Sequence, residues 1–310
     1  MPAMSASASI DIQSPLSRVH EVLTDFKSWP SWSPWLYTEP DANLDFVGVT
    51  HEPGHGYRWQ GRKIGEGSMS LLSSDNKQIH CLLNFIKPFK SNAKVDFELE
   101  EQADASTRVT WKMDSQLPLF LFFMKGTMSA FIRSDFTRGL RLLKDYLENG
   151  AVYSATSNAG IVDVDARQFV GVAAETVMAD MESSMRASFG LLMPAMQAAG
   201  IPAAGPAMAQ YDHFDIKASR CRYVAGVTSS GVTDIEPPAL IREIPACRAL
   251  KLTHTGRYEH LGNAWSTGMI SLRADGNKAS RSVKPFELYL NDPDTTDAEH
   301  LITELYFPIR

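Results

Sequence analysis

Cysteine is scarce in this sequence: Cys81, Cys221 and Cys247 are all there is in 310 residues. Scattered and odd in number, they argue against a disulfide framework and a metal knuckle and point to a reducing compartment. Positive charge is not in excess either. Thirty Lys and Arg against 36 Asp and Glu give a net charge of −6 and a pI near 5.8. With no basic cluster and no helix-turn-helix pattern, a nucleic-acid surface is not expected, because phosphate binding needs concentrated Lys and Arg. Long apolar runs are missing too. The strongest, Leu117 to Met124, falls well short of the roughly 20 residues that span a bilayer; it reads as a buried strand end or the start of a helix. The opening MPAMSASASI lacks the basic start and the apolar run of a signal peptide. A soluble, cytoplasmic protein is expected, with no membrane partner and no cofactor.

What is present is enough for two domains of about 150 residues each. Apolar residues make up 44% and charged residues 21%, as in ordinary globular chains. The expected division is a first domain at residues 5–150, a small polar linker at 151–159 (AVYSATSNA) and a second domain at 160–310.

In the first half, Ser9 to Ile12 starts a strand. Ser14 then reads as the N-cap of a helix with Pro15 at its first position and an apolar stripe of Val19, Val22, Leu23 and Phe26. Two prolines in Trp29 to Trp35 (WPSWSPW) forbid a continuous helix there. Clean alternation follows. Tyr57 and Trp59, Met69 and Leu71, Val95, Phe97 and Leu99, and Val109, Trp111 and Met113 each share one parity against polar neighbours. That is the mark of an antiparallel sheet with one wet and one covered face. Ile79 to Ile86 is apolar on both parities and predicts deeper burial. A long helix, Thr127 to Glu148, closes the half, with Asn149-Gly150 as its cap.

His51-Glu52-Pro53-Gly54-His55 matches the H-E-x-x-H zinc pattern letter for letter. That chemistry needs both histidines on one helical face, and Pro53-Gly54 with Gly56 make a helix improbable there, so a turn is expected. No metal site is expected in the chain. His254, Glu259 and His260 cluster in sequence but are split by Thr255-Gly256, with no matching ligand set nearby.

The element order of this half, its Trp-Pro-x-Trp-x-Pro-Trp segment, and Tyr57-Arg58-Trp59-Gln60-Gly61 leading to Gly65-Glu66-Gly67-Ser68-Met69 resemble the START-related polyketide-cyclase superfamily. The resemblance implies a helix-grip fold: a curved antiparallel sheet around a long C-terminal helix, with a ligand cavity between them. Trp59, Trp111 and Phe97 would line it, beside Trp32, Trp35, Met69 and Phe85. Inward aromatics are more often plain core. The inward parity carries no carboxylate pair and no carboxylate–histidine pair for general acid–base chemistry.

The second half repeats loosely at about 80 residues. Val164-Asp165-Ala166 parallels Ile244-Pro245-Ala246, and Pro206 to Asp212 parallels Pro285 to Asn291. The first copy's helix is rich in methionine (Met178, Met181, Met185, Met193, Met196), which reads as core packing at helical spacing or as an adaptable apolar surface; Pro194 is expected to end or kink it. The class is therefore α+β: the helix-grip domain, then a duplicated strand-helix-strand-strand unit. The last stretch alternates twice, with Phe286, Leu288 and Leu290 against Glu287 and Tyr289, then Leu305, Phe307 and Ile309 against Glu304 and Tyr306. Parity assigns Tyr289, Glu304 and Tyr306 to one face, opposite the apolar residues.

Gly256-Arg257-Tyr258, Trp265, Pro285 to Pro293 (PFELYLNDP) and Thr303 to Ile309 (TELYFPI) resemble the gyrase-inhibitor-like family, the effector-binding domain of AraC- and MerR-type regulators. The resemblance implies two units side by side whose sheets form a central ligand cleft. It makes Glu304 the ligand glutamate, with Trp265 and Tyr289 as aromatic neighbours and Tyr258 and Tyr306 nearby. The function it implies is binding of a small hydrophobic or aromatic molecule, cationic ones included, since a carboxylate and aromatic walls favour a cation. Two alternatives stand beside it. One is a hydrolase of strained electrophiles with Glu304 as general base and Tyr289 or Tyr258 orienting the substrate; the other is a lipid or polyketide carrier or cyclase working through the first domain.

Overall fold

The structure, a computed structural model, describes residues 3–116 and 123–310. Most of the Leu117 to Met124 run lies outside them. The chain divides between Tyr153 and Ser154 into two compact units.

In the first unit, β1 (Ala3–Ile12), β2 (Asn43–Val47), β3 (Gly56–Gln60), β4 (Glu66–Ser74), β5 (Gln78–Lys87), β6 (Ser91–Glu101) and β7 (Thr107–Gln116) form one sheet. Its order is β1-β7-β6-β5-β4-β3-β2, antiparallel throughout. Alternation does what it predicts: Tyr57, Trp59, Met69, Leu71, Val95, Phe97, Leu99, Val109, Trp111 and Met113 are all buried. The long helix is α3 (Lys125–Asn149), ended by Gly150 in the left-handed region, whose N–H reaches the Tyr146 carbonyl.

Two expectations for this unit change. The helix α1 (Leu16–Thr24) is capped by Pro15, not Ser14; the Ser14 carbonyl instead accepts the Thr107 hydroxyl at 2.8 Å. Strand β5 buries only one parity, Ile79, Cys81 and Leu83, while Ile86 near its end is exposed. The two prolines after α1 split the chain into a 3-10 turn (Phe26–Ser31) and α2 (Pro34–Thr38), with Pro34 at the first helical position. His51 to His55 is a turn, as the glycine and proline require. His55 is buried and accepts the Phe26 N–H at Nε2, so its Nδ1–H donates to the Val47 carbonyl at 3.0 Å.

The second unit contains β8 (Ser154–Val164), β9 (Arg167–Val177), α4 (Met181–Ala198), β10 (Ala207–Asp215), β11 (Arg220–Ser229), then β12 (Ala239–Ile244), β13 (Cys247–Gly256), α5 (Leu261–Ala274), β14 (Phe286–Tyr289) and β15 (Ile302–Pro308). The two copies run about 80 residues apart: β9 and α4 begin at Arg167 and Met181, β13 and α5 at Cys247 and Leu261. Each copy has one strand more than expected. That strand begins at Ser154 in the first copy, so residues 154–159 are sheet and not linker. Pro194 leaves α4 running to Ala198.

All eight strands join in one sheet, β12-β9-β11-β10-β14-β15-β13-β8. The first strand of each copy pairs with the second strand of the other: β8 with β13, β12 with β9. Central strands β10 and β14 join the copies, with Met208 opposite Leu288. One face carries both helices. The other is apolar at its centre, where Phe169, Met208, Val224, Phe286, Leu288 and Tyr306 pack with Val164 and Ile244.

Candidate functional site

Helix α4 packs on β9, β11 and β12, and α5 on β13, β8 and β15. Central strands β10 and β14 form the floor between the two helices. On that floor Ala209 pairs with Glu287, and Ala207 with Tyr289. Small alanines thus stand beside the glutamate and the tyrosine on this floor.

Glu287 is 1% exposed. Its Oε2 accepts the hydroxyls of Tyr211 at 2.7 Å and Tyr289 at 2.8 Å, and its Oε1 accepts the Trp265 indole N–H at 2.5 Å. A buried carboxylate is tolerated only when its lone pairs are used, and three donors use them. Burial still dominates and raises the Glu287 carboxyl above its ordinary value, with the three hydrogen bonds pulling the other way. Burial and the Glu287 carboxylate drive the Tyr211 and Tyr289 phenols well above theirs, and burial takes Tyr258 to about 12.

Aromatic rings surround this carboxylate. Trp265 meets Tyr211 edge-on at 5.0 Å, Phe214 at 5.1 Å and Phe307 at 5.0 Å. Tyr258 meets Tyr289 edge-on at 5.6 Å. Met181, Met185 and Phe189 of α4 pack from the other side. Phe214 reaches the groove through an irregularity: register slips between Tyr211 and His213, so residues three apart in β10 share a face. Tyr211 and Phe214 stack at 5.2 Å, and Phe214 remains 36% exposed at the lip.

Of the residues expected at the site, the structure gathers Tyr289, Trp265 and Tyr258 here. Glu304 and Tyr306 lie on the opposite face from Tyr289, which corrects the single face expected for the three. Pairing decides it: Glu304 stands opposite Leu288, and Tyr306 opposite Phe286, so each shares the face of its apolar partner. Glu287 stands opposite Leu305, on the α5 side. On its own face Glu304 binds Lys251 at 2.6 Å and accepts the Tyr306 hydroxyl at 2.6 Å. Glu287, Tyr211 and Phe214 were missed; the readable signal was Glu287 two residues before Tyr289, on the same parity.

Trp59, Trp111 and Phe97 belong to the core of the first unit, 8%, 0% and 0% exposed. Trp111 stacks on Phe136 at 4.4 Å and meets Phe97 tilted at 5.0 Å, with Trp29, Trp32 and Trp35 edge-on within 6.0 Å. Each such ring removes roughly 150–250 Å² from water. These residues are filled by one another.

A family model described as a GyrI-like small molecule binding domain matches residues 159–310, and one described as polyketide cyclase / dehydrase and lipid transport matches residues 3–148. No curated protein matches the chain. Among solved structures it is similar to the EcmrR C-terminal domain, at 17% identity over 51% of this chain and 98% of that one, TM-score 0.40. It is similar to SAV2435 bound to tetraphenylphosphonium, at 12% identity over 50% and 94% of the two chains, TM-score 0.37. A third likeness is to the Aha1 dimer from Colwellia psychrerythraea, at 18% identity over 47% and 97%, TM-score 0.35. No helix among the described residues is long and apolar enough to cross a membrane.

Proposed function

For a chain that carries a polyketide-cyclase-type domain at residues 3–148 and a GyrI-like small molecule binding domain at residues 159–310, we propose that the working site is the groove between α4 and α5, and that it takes apolar aromatic molecules bearing a positive charge. One observation carries this reading: a fully buried carboxylate, Glu287, at the base of an aromatic cup. Rings that turn their faces to a cation attract it by about 0.5–2 kcal/mol each, and more once water is excluded. The carboxylate behind them lowers the cost of desolvating that charge. Tyr258 and Phe214 form the outer walls, and the methionines of α4 supply an adaptable apolar side.

A hydrolytic role for Glu304 has little support, since its carboxylate is committed to Lys251 and Tyr306 on the far face. A carrier role for the first domain draws little from Trp59, Trp111 and Phe97, whose contacts are with other core rings.

Calorimetric titration with tetraphenylphosphonium, a bulky aromatic cation, tests the proposal against neutral triphenylphosphine oxide. At 100 times its dissociation constant the cation should add about 2.7 kcal/mol of stability. Binding lost in Glu287→Gln and kept in Glu304→Gln is the expected result. Equal binding by the Glu287→Gln variant, or no preference for the cation over the neutral oxide, would sink the reading.

A further inference from the structure

The face of the second sheet turned away from α4 and α5 holds a group of charges that the groove does not use. Lys251, Tyr306 and Phe286 lie in one row across β13, β15 and β14. Phe286 and Tyr306 stack at 4.7 Å with 8° between their planes. Arg167, the first residue of β9, lays its guanidinium carbon 5.5 Å from the Phe286 ring centre and 5.9 Å from that of Tyr306. Lys251 Nζ is 5.6 Å from the same Tyr306 ring.

Two cations share this place with one carboxylate. Glu304 pairs with Lys251 and accepts the Tyr306 hydroxyl, and it makes no ion pair with the second cation. Arg167 has no hydrogen-bond or ion-pair partner among the described residues, and its Nε is buried. Asp163 and Asp165, the nearest acids along the chain, are exposed. A buried N–H without an acceptor costs about 1–3 kcal/mol, more on a charged group, so a native protein that keeps one usually satisfies it with water or an ion. The guanidinium carbon lies within 6 Å of both ring centres, and a guanidinium carries the forked donors that carboxylates and phosphates accept in pairs.

We propose that this face carries a second ligand site, for a small oxyanion, with Arg167 as the fork and Lys251 as the supporting charge. It is separate from the groove: Phe286 and Glu287 are consecutive in β14 and point to opposite faces. A natural reporter lies beside it. Cys247 shares the parity of Lys251 on β13, is partly exposed, and its thiol feels the Arg167 charge. The other two thiols, Cys81 and Cys221, are buried, which raises each to about 12.

The test is alkylation of Cys247 in the full-length protein, followed by peptide mapping, with iodoacetate compared against neutral iodoacetamide. An oxyanion site concentrates iodoacetate, so the ratio of the two rates should fall severalfold in Arg167→Gln and fall likewise when inorganic phosphate or benzoate is added at constant ionic strength. Titration calorimetry with phosphate and with benzoate then assigns the anion. The site should saturate with one of them, weaken about tenfold in Arg167→Gln, as loss of one charged hydrogen bond predicts, and be unchanged in Glu287→Gln. Arg167→Lys keeps the charge without the fork and should recover only part of the binding. Should Arg167→Gln fail to fold, competition by phosphate or benzoate in the wild-type protein decides alone. A rate ratio that neither anion moves, with no saturable heat from either, overturns the proposal.

Discussion

The Trp265 indole N–H reaches across from α5 to Oε1 of Glu287 on β14, at 2.5 Å. The helix and the groove floor are tied together by this contact, and the same indole packs on Tyr211, Phe214 and Phe307. Trp265→Phe keeps most of the ring contact and removes the donor. A hydrogen bond to a charged group is worth about 1.5–3 kcal/mol. The variant should therefore bind tetraphenylphosphonium about tenfold more weakly, by calorimetry, and melt at a lower temperature. Unchanged affinity would mean that the cation does not depend on an ionised Glu287.

The pH dependence of binding follows from the raised pKa of Glu287. In the free protein, stability held by the neutral carboxyl is present below the unfolded carboxylate range and is lost as pH rises through the higher folded value. A bound cation favours the ionised form and reverses this. Binding should release a proton in that window, and affinity should climb with pH and then level off. Titrations in two buffers of different ionisation enthalpy would report the release. In Glu287→Gln the profile should be flat.

Much of the fold could be read from residue order. The single apolar parity of the first sheet, the long α3 with its Gly150 stop, and the 80-residue repeat each follow from local pattern. The faces on which Glu287 and Glu304 lie relative to each other could not be read the same way. Alternation shows which residues of one strand share a face, but it leaves open how that strand aligns with its neighbour, and a shift of one residue exchanges faces. Leu288 opposite Glu304 is a fact of register. Phe214 was hidden for a related cause, since the slip after Tyr211 breaks the period of two. The same register gives a prediction: Glu304→Gln should leave cation affinity within about twofold, because the charge it removes is on the far face and partly exposed.

Gly268 tests how closely α5 is seated. A Cβ there would meet the Phe307 ring at 2.3 Å and a Leu252 methyl at 2.8 Å. In an open helix, Gly→Ala stabilises by about 1 kcal/mol. Here overpacking should outweigh that preference and destabilise by about 1–3 kcal/mol. The strain falls on Phe307, which packs against Trp265, so cation binding should weaken together with stability. Chemical denaturation and calorimetry on Gly268→Ala check both. A more stable variant would show that α5 moves aside freely.

His254 provides the acid limit of the second domain. Its ring is completely buried beneath α5, its Nε2 is 3.3 Å from the Arg257 carbonyl, and its Nδ1 has no partner among the described residues. Burial lowers its pKa from 6.5 to about 4, with His260 nearby acting in the same direction. The unfolded chain takes up a proton below pH 6.5 that the folded chain refuses until about pH 4. Stability is thus full above the unfolded value, falls as pH drops between the two, and levels off below the folded one. The whole effect is at most about 3 kcal/mol, the energy of a shift of this size. Urea midpoints for wild type and His254→Asn, taken from pH 7 to pH 4, isolate it from the titration of the acids. The wild type should lose more stability across that range than the variant does. Parallel curves would mean that His254 takes its proton in the folded state as easily as in the unfolded chain.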